Sequence, residues 1–134
     1  MAVQLGTNSR NARLDAIETT LGTAPLLTLR TGAQPTNCAA ANSGTVLATI
    51  NLPSDWMATA SGGTKSILGG PWQDISADAS GTAAHFRIHN TAGTTCEMQG
   101  SVGLASGDLQ LDNNVLVAGQ TVSITAFTLT DANS

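Results

Sequence analysis

From Leu26 to the C-terminus the chain alternates apolar and polar residues in short bursts, each closed by glycine, proline, asparagine or serine. Leu27 and Leu29 interleave with Thr28 and Arg30, and the run Thr45–Leu52 ends at Pro53. Lys65–Leu68 and Trp72–Ile75 flank Gly69-Gly70-Pro71, while Leu109 and Leu111 precede an Asp112-Asn113-Asn114 turn. Alternation with period two places successive side chains on opposite faces of a strand, and turn clusters of this kind end strands. The pattern predicts a mainly β fold, an antiparallel β-sandwich or small barrel of about seven to nine short strands. In the last run Val122 and Ile124 keep one phase, whereas Phe127 and Leu129 take the other. That slip predicts a bulge near Ala126, or a strand passing from one sheet to another.

The start of the chain reads differently. Leu14, Ile17 and Leu21 recur at helical spacing, Asn8 and Ser9 are good N-cap residues, and Gly22 stands where a helix-ending glycine belongs. A helix over Ser9–Leu21 follows, with an apolar stripe too narrow to fold alone. The sequence therefore divides into an N-terminal arm, residues 1–24, and a single β-domain, residues 25–134. Arg10, Arg13 and Arg30 make the first 30 residues locally basic. The expectation is an arm that docks on a neighbouring subunit, with Arg10, Arg13, Leu14, Ile17 and Leu21 at the contact. The competing expectation is a helix packed across the open end of its own domain.

The most definite local structure is a hairpin from His85 to Val102, turning over Asn90–Thr94. Phe86 and Ile88 face one way and His85, Arg87 and His89 the other. The expected register sets Ile88 opposite Cys96, Phe86 opposite Met98, and Arg87 opposite Glu97 as a cross-strand ion pair. The expected core is Leu47, Ile50, Phe86, Ile88, Met98, Val102, Leu109, Leu111, Val122 and Ile124.

Composition argues against chemistry. Charged residues are 10% of the chain and aromatics 3%, with no tyrosine, while Gly, Ala, Thr, Ser and Asn fill over half of it. Proton transfer, metal binding and substrate stacking draw on the residue types that are scarce here. With five Lys and Arg in all and a net charge of −4, the chain is also a poor match for nucleic acid. No apolar run is long enough to cross a membrane. The first six residues lack a signal-peptide pattern, which implies assembly in the cytoplasm.

Individual candidates fare no better. His85 and His89 share a strand face, but Arg87 lies between them and would repel a cation, so no metal or other cofactor is expected. Asp74 with Asp78, and Asp108 with Asp112 and Asn113, read as polar turn residues rather than paired carboxylates or calcium ligands. No Gly-x-Ser-x-Gly elbow is present, and no catalytic residues are assigned. Trp56 and Trp72 read as core anchors or as rim contacts with a partner, and both join the candidate contact residues. Cys38 and Cys96 fit no metal or CxxC spacing. Two buried free thiols, or a disulfide tying a loop to a central strand in an oxidised setting, both remain open.

Several phrases carry a resemblance across the chain: Asn11–Glu18 followed by Gly22, Pro35–Ala40, Leu52–Trp56, Gly81–Ile88 and Phe127–Asp131. In these the chain resembles small structural proteins of tailed bacteriophages and prophages. The resemblance implies a non-enzymatic virion component, foremost a capsid decoration or cement protein bound to the major capsid protein or other virion subunits. It also implies a homo-oligomer localised to the virion. A neck or tail component (tail-completion or fibre-adaptor protein) is the alternative, and a glycan-binding module built on Trp56 and Trp72 stands behind both.

Overall fold

The computed structural model describes residues 3–131. It contains one helix, α1 (Thr7–Leu21), and ten strands: β1 (Leu26–Arg30), β2 (Val46–Asn51), β3 (Thr64–Ser66), β4 (Gln73–Asp74), β5 (Gly81–Thr82), β6 (His85–His89), β7 (Cys96–Gly103), β8 (Leu109–Leu111), β9 (Val115–Leu116) and β10 (Val122–Thr130). The main sheet runs β2-β1-β6-β7-β8-β10-β3, with β4 also on β10, and β5 pairs with β9. It curls into an incomplete barrel, the mainly β fold that the alternation predicts.

Residues 74–79 link β10 to the edge strand β2. Asp74 Oδ2 accepts the Thr49 amide at 3.0 Å, Asp78 Oδ2 accepts the Thr49 hydroxyl at 2.8 Å, and the Asp78 amide donates to Leu47 O at 2.7 Å. The exposed edge of β2 is thereby satisfied, removing a template for strand addition. Asp78 lies in a bend, in keeping with the polar turn residue read from the sequence, whereas Asp74 ends strand β4 rather than standing in a turn.

The slip in β10 is a bulge: Ile124 pairs with Leu111, and Ala126 with Gln110. One pairing departs from the antiparallel expectation. β8 lies parallel to the end of β7, Val102 against Leu109, because residues 103–108 fold back on themselves. Asp108 holds that loop by accepting both the amide and the hydroxyl of Ser101, at 2.9 and 3.0 Å.

The hairpin register is shifted by two residues from the expected one. Ile88 faces Met98, Phe86 faces Gly100 and Arg87 faces Gln99, with a bulge before the His89–Cys96 pair. The cause is steric. A Cβ at position 100 would lie 2.7 Å from the Phe86 ring, so only glycine accepts that ring opposite it. Arg87 is thus not paired with Glu97.

All four aromatic residues of the chain join in one row through the core. Trp56 and Trp72 have ring centroids 6.0 Å apart, Trp72 and Phe127 5.9 Å, and Phe127 meets Phe86 edge-on at 5.6 Å. Of the expected core, eight residues are buried, while Met98 and Val102 are only partly covered against it.

Candidate functional site

The helix belongs to this core, which corrects the expectation of a free arm. It begins at Thr7 behind Gly6, so Asn8 and Ser9 lie inside its first turn and do not cap it. Gly22 ends it as expected, its amide bonded to Glu18 O at 3.0 Å. Leu14 and Leu21 are buried, so neither is available to a neighbour, and Ile17 packs partly covered against the core. Arg13 pairs with Asp131 at 2.9 Å and Arg10 donates to Asp131 O at 3.0 Å, so both turn back toward the end of β10.

What the apolar stripe could not reveal is a second, polar stripe at Asn11, Asp15 and Glu18. These accept the backbone amides of Gly63, Ala60 and Met57, at 2.9, 3.0 and 3.4 Å. Between them lies the Lys65 ammonium, 1% exposed, 2.6 Å from Asp15 Oδ1 and 2.8 Å from Glu18 Oε2. Burial alone would depress Lys65, but the hydrogen bonds to Asp15 and Glu18 outweigh it and raise its pKa. The same bond to Lys65, with the Ala60 amide, holds Asp15 below its ordinary value. The raised lysine stabilises the fold below its unfolded pKa of 10.5 and loses that effect as pH rises through its folded value. The lowered aspartate stabilises above its unfolded pKa of 3.8 and loses the effect as pH falls through its folded value.

Trp56 and Trp72 are also withdrawn from any partner, being 0% and 1% exposed. Their indole N–H groups donate to Gly22 O at 3.0 Å and Leu68 O at 3.3 Å, the satisfaction a buried tryptophan requires. Neither surface contact nor sugar stacking is open to them.

The polar face of β6 is where the chain concentrates unusual chemistry. All five residues His85–His89 are buried: Phe86 and Ile88 in the core, and the polar face beneath residues 31–45, which join β1 to β2 and fold back over it as a strap. Arg87, 1% exposed, fastens the strap. Its Nη1 donates to Ala40 O at 3.1 Å and Asn42 Oδ1 at 2.6 Å, and its Nη2 to Asn37 O at 3.0 Å and Cys38 O at 3.1 Å. Its Nε donates to Gln99 Oε1 at 3.1 Å, and Gln99 Nε2 reaches Pro35 O at 2.8 Å. His85 Nδ1 adds a bond to Gly32 O at 2.9 Å. At the neck of the strap, Gly44 sits so close to Thr31 O that any Cβ would collide with it.

Beside the strap opens a cleft of about 320 Å³, lined among others by Asn42, Arg87, His89 and the two cysteines. Arg30 lies nearby, its Nε bonded to Thr28 Oγ1 at 3.0 Å, and burial followed by the Arg87 charge lowers its pKa. The guanidinium of Arg87 has spent all five N–H groups on the strap and Gln99, so it acts here as a structural bolt. Burial and the hydrogen bond from Cys96 push the Cys38 thiol up to about 11, which keeps it mostly protonated at neutral pH and makes it a slow nucleophile there. Among the described residues no three His, Cys, Asp or Glu side chains converge as metal ligands.

His89 gives this region a pH dependence. Burial first, then the charges of Arg87 and Arg30, lower its pKa from 6.5. The unfolded chain therefore binds the proton more readily, and stability is lost as pH falls below about 6.5 toward the folded value. The slope is at most about 1.4 kcal/mol per pH unit. Urea unfolding at pH 7 and pH 5 should show this loss in the native protein and a smaller one in His89→Gln. Equal losses in both proteins would remove His89 as the cause.

The surface offers a different feature, which the sequence did not single out. Ile75, Val115 and Val117 are 72%, 56% and 58% exposed. They sit on two segments laced together: Ala77 N donates to Gln120 O at 2.8 Å, Gly119 N to Ala77 O at 2.8 Å, and Ala118 N to Ser80 Oγ at 3.0 Å. Pairing of Thr82 with Val115 extends the lacing. The signal was visible as apolar residues inside turn-rich sequence, where a folded core has no use for them. Compared with known proteins, the chain matches no family model, no curated protein and no solved structure.

Proposed function

We propose that this chain is a non-enzymatic structural protein of a tailed-phage virion, decorating the capsid shell through the rim of Ile75, Val115 and Val117. The observation that carries the reading is that rim: three large apolar side chains held out to water by a braced, hydrogen-bonded frame. Apolar exposure on a rigid frame suits protein contact, because little ordering entropy is lost on docking. The phrase-level resemblance supplies the virion setting, and the major capsid protein is the partner it suggests. Docking by the N-terminal helix is not part of this proposal, since that helix is already committed to its own domain.

The test is add-back of purified protein to particles made without it. Wild type should bind in the hundreds of copies per particle. Ile75→Asp with Val117→Asp should melt as wild type does yet bind at least about tenfold more weakly. Saturation at about a dozen copies would move the protein to the neck or tail, where rings of low order are the rule. Undiminished binding by the double variant would dismiss the rim.

A further inference from the structure

The strap is closed at its base and fastened in its middle, and two sulfurs meet at its tip. At the base, Thr31 N donates to Thr45 O at 3.1 Å and Thr45 N to Thr31 Oγ1 at 2.9 Å. In the middle, Arg87 gathers the carbonyls of Asn37, Cys38 and Ala40. At the tip, Cys38 Sγ lies 2.6 Å from Cys96 Sγ, on the first residue of β7 and 58 positions away in sequence. Arg87 sets the placement, because the carbonyl it holds on Cys38 belongs to the residue whose sulfur must reach β7. Both cysteines are half-buried and line the open cleft, so a small reagent can reach them.

We propose that Cys38 and Cys96 are a cross-linking pair, joined by an intramolecular disulfide that locks the strap onto the sheet in an oxidising environment. The reaction is thiol–disulfide exchange with a low-molecular-weight disulfide. One cysteine loses its proton and attacks a sulfur of the reagent, releasing one small thiol and forming a mixed disulfide. The second cysteine, deprotonated in turn, attacks the protein sulfur of that mixed disulfide and expels the second small thiol. The protein loses two hydrogens and two electrons, and the reagent disulfide is reduced to two thiols. In the reduced protein the two sulfurs are in contact, and the raised pKa keeps the Cys38 thiol mostly protonated, which slows the exchange at neutral pH.

The inference is independent of the capsid proposal and is tested on the isolated protein. Reduced protein is incubated with oxidised glutathione, trapped with an alkylating reagent under denaturing conditions, and weighed by mass spectrometry. The expected product is a monomer lighter by two hydrogens, carrying no alkyl groups, with Cys38 and Cys96 in one linked peptide. Because the cross-link closes a long loop in the unfolded chain, its Tm should rise by on the order of ten degrees and return on reduction. Cys38→Ser and Cys96→Ser should show no such rise. Two alkylated thiols, two glutathione adducts or a linked dimer would overturn the pairing. A cross-linked monomer whose Tm and strap proteolysis match the reduced protein would overturn the lock.

Discussion

Arg87→Met is expected to destabilise the protein by about 3–5 kcal/mol, as loss of the hub of a buried polar network does. Methionine keeps most of the volume, so the loss measures the guanidinium's bonds rather than a cavity. Those bonds reach the carbonyls of Asn37, Cys38 and Ala40 and the side chains of Asn42 and Gln99. Each bond to a charged donor contributes about 1.5–3 kcal/mol net in isolation, yet the total stays below their sum. Two opposing effects hold it down: the cleft lets water reach part of the strap once it loosens, and the native protein already bears the cost of burying a cation with no carboxylate partner among the described residues. Arg87→Lys should restore little, because a single ammonium cannot fork to carbonyls on both sides. Urea unfolding measures the loss, and limited proteolysis should show new cutting within residues 37–43. A loss under about 1 kcal/mol with the strap still protected would show that the strap is held by its neck.

The role of Arg87 explains what the sequence could and could not disclose. Strands and most of the core were legible because burial of one face writes itself as alternation: Phe86 and Ile88, Leu109 and Leu111, and Val122 and Ile124 lie where their phase put them, whereas Leu47 and Ile50, three apart, are both buried beside a bulge in the β1–β2 pairing. The bulge in β10 was legible for the same reason. The polar face of β6 was not, because most of its partners are backbone carbonyls, which every residue of the strap carries alike. Nothing in the run Asn37–Asn42 says that an arginine some 50 positions onward will collect its oxygens. The hairpin register failed on a similar point, since Arg87 and Glu97 offered an obvious charge pair while the deciding residue was Gly100, which has no side chain.

The contact residues failed differently. Trp56 and Trp72 were ambiguous because a large amphipathic ring suits a core or a rim equally well, and only tertiary position separates the two. Arg10, Arg13, Leu14, Ile17 and Leu21 were read from charge and an apolar stripe that looked too narrow. The missing half of that surface was polar. Asn11, Asp15 and Glu18 recur at helical spacing, but a polar stripe on a helix is ordinarily solvated, and here it binds backbone amides and a buried lysine. Lys65 gave the one readable hint, as a cation flanked by strand residues with no neighbouring acid in sequence.

Deleting residues 1–22 should therefore abolish cooperative unfolding of what remains. The deletion strips Leu14 and Leu21 from the core, a contribution of about 1.5–3 kcal/mol each for fully buried leucines. It also takes Gly22 O from the Trp56 indole and the side-chain acceptors from the amides of Met57, Ala60 and Gly63. Both carboxylates of the Lys65 ammonium go as well, together with the helix packed over it, so that buried ion network is lost whole. A domain of this size has a total stability of only about 5–15 kcal/mol, so these losses together exhaust most of it. A point-mutant series isolates the charge from the packing. Asp15→Asn with Glu18→Gln keeps the helix and its leucines, and should lower Tm by on the order of ten degrees. Adding Lys65→Met to that pair should recover most of the loss, because a buried cation without partners is worse than an apolar side chain of similar length. Calorimetry reads both results. A truncated chain that still melts in one sharp transition, or a triple variant no more stable than the double, would mean that the helix merely rests on the barrel.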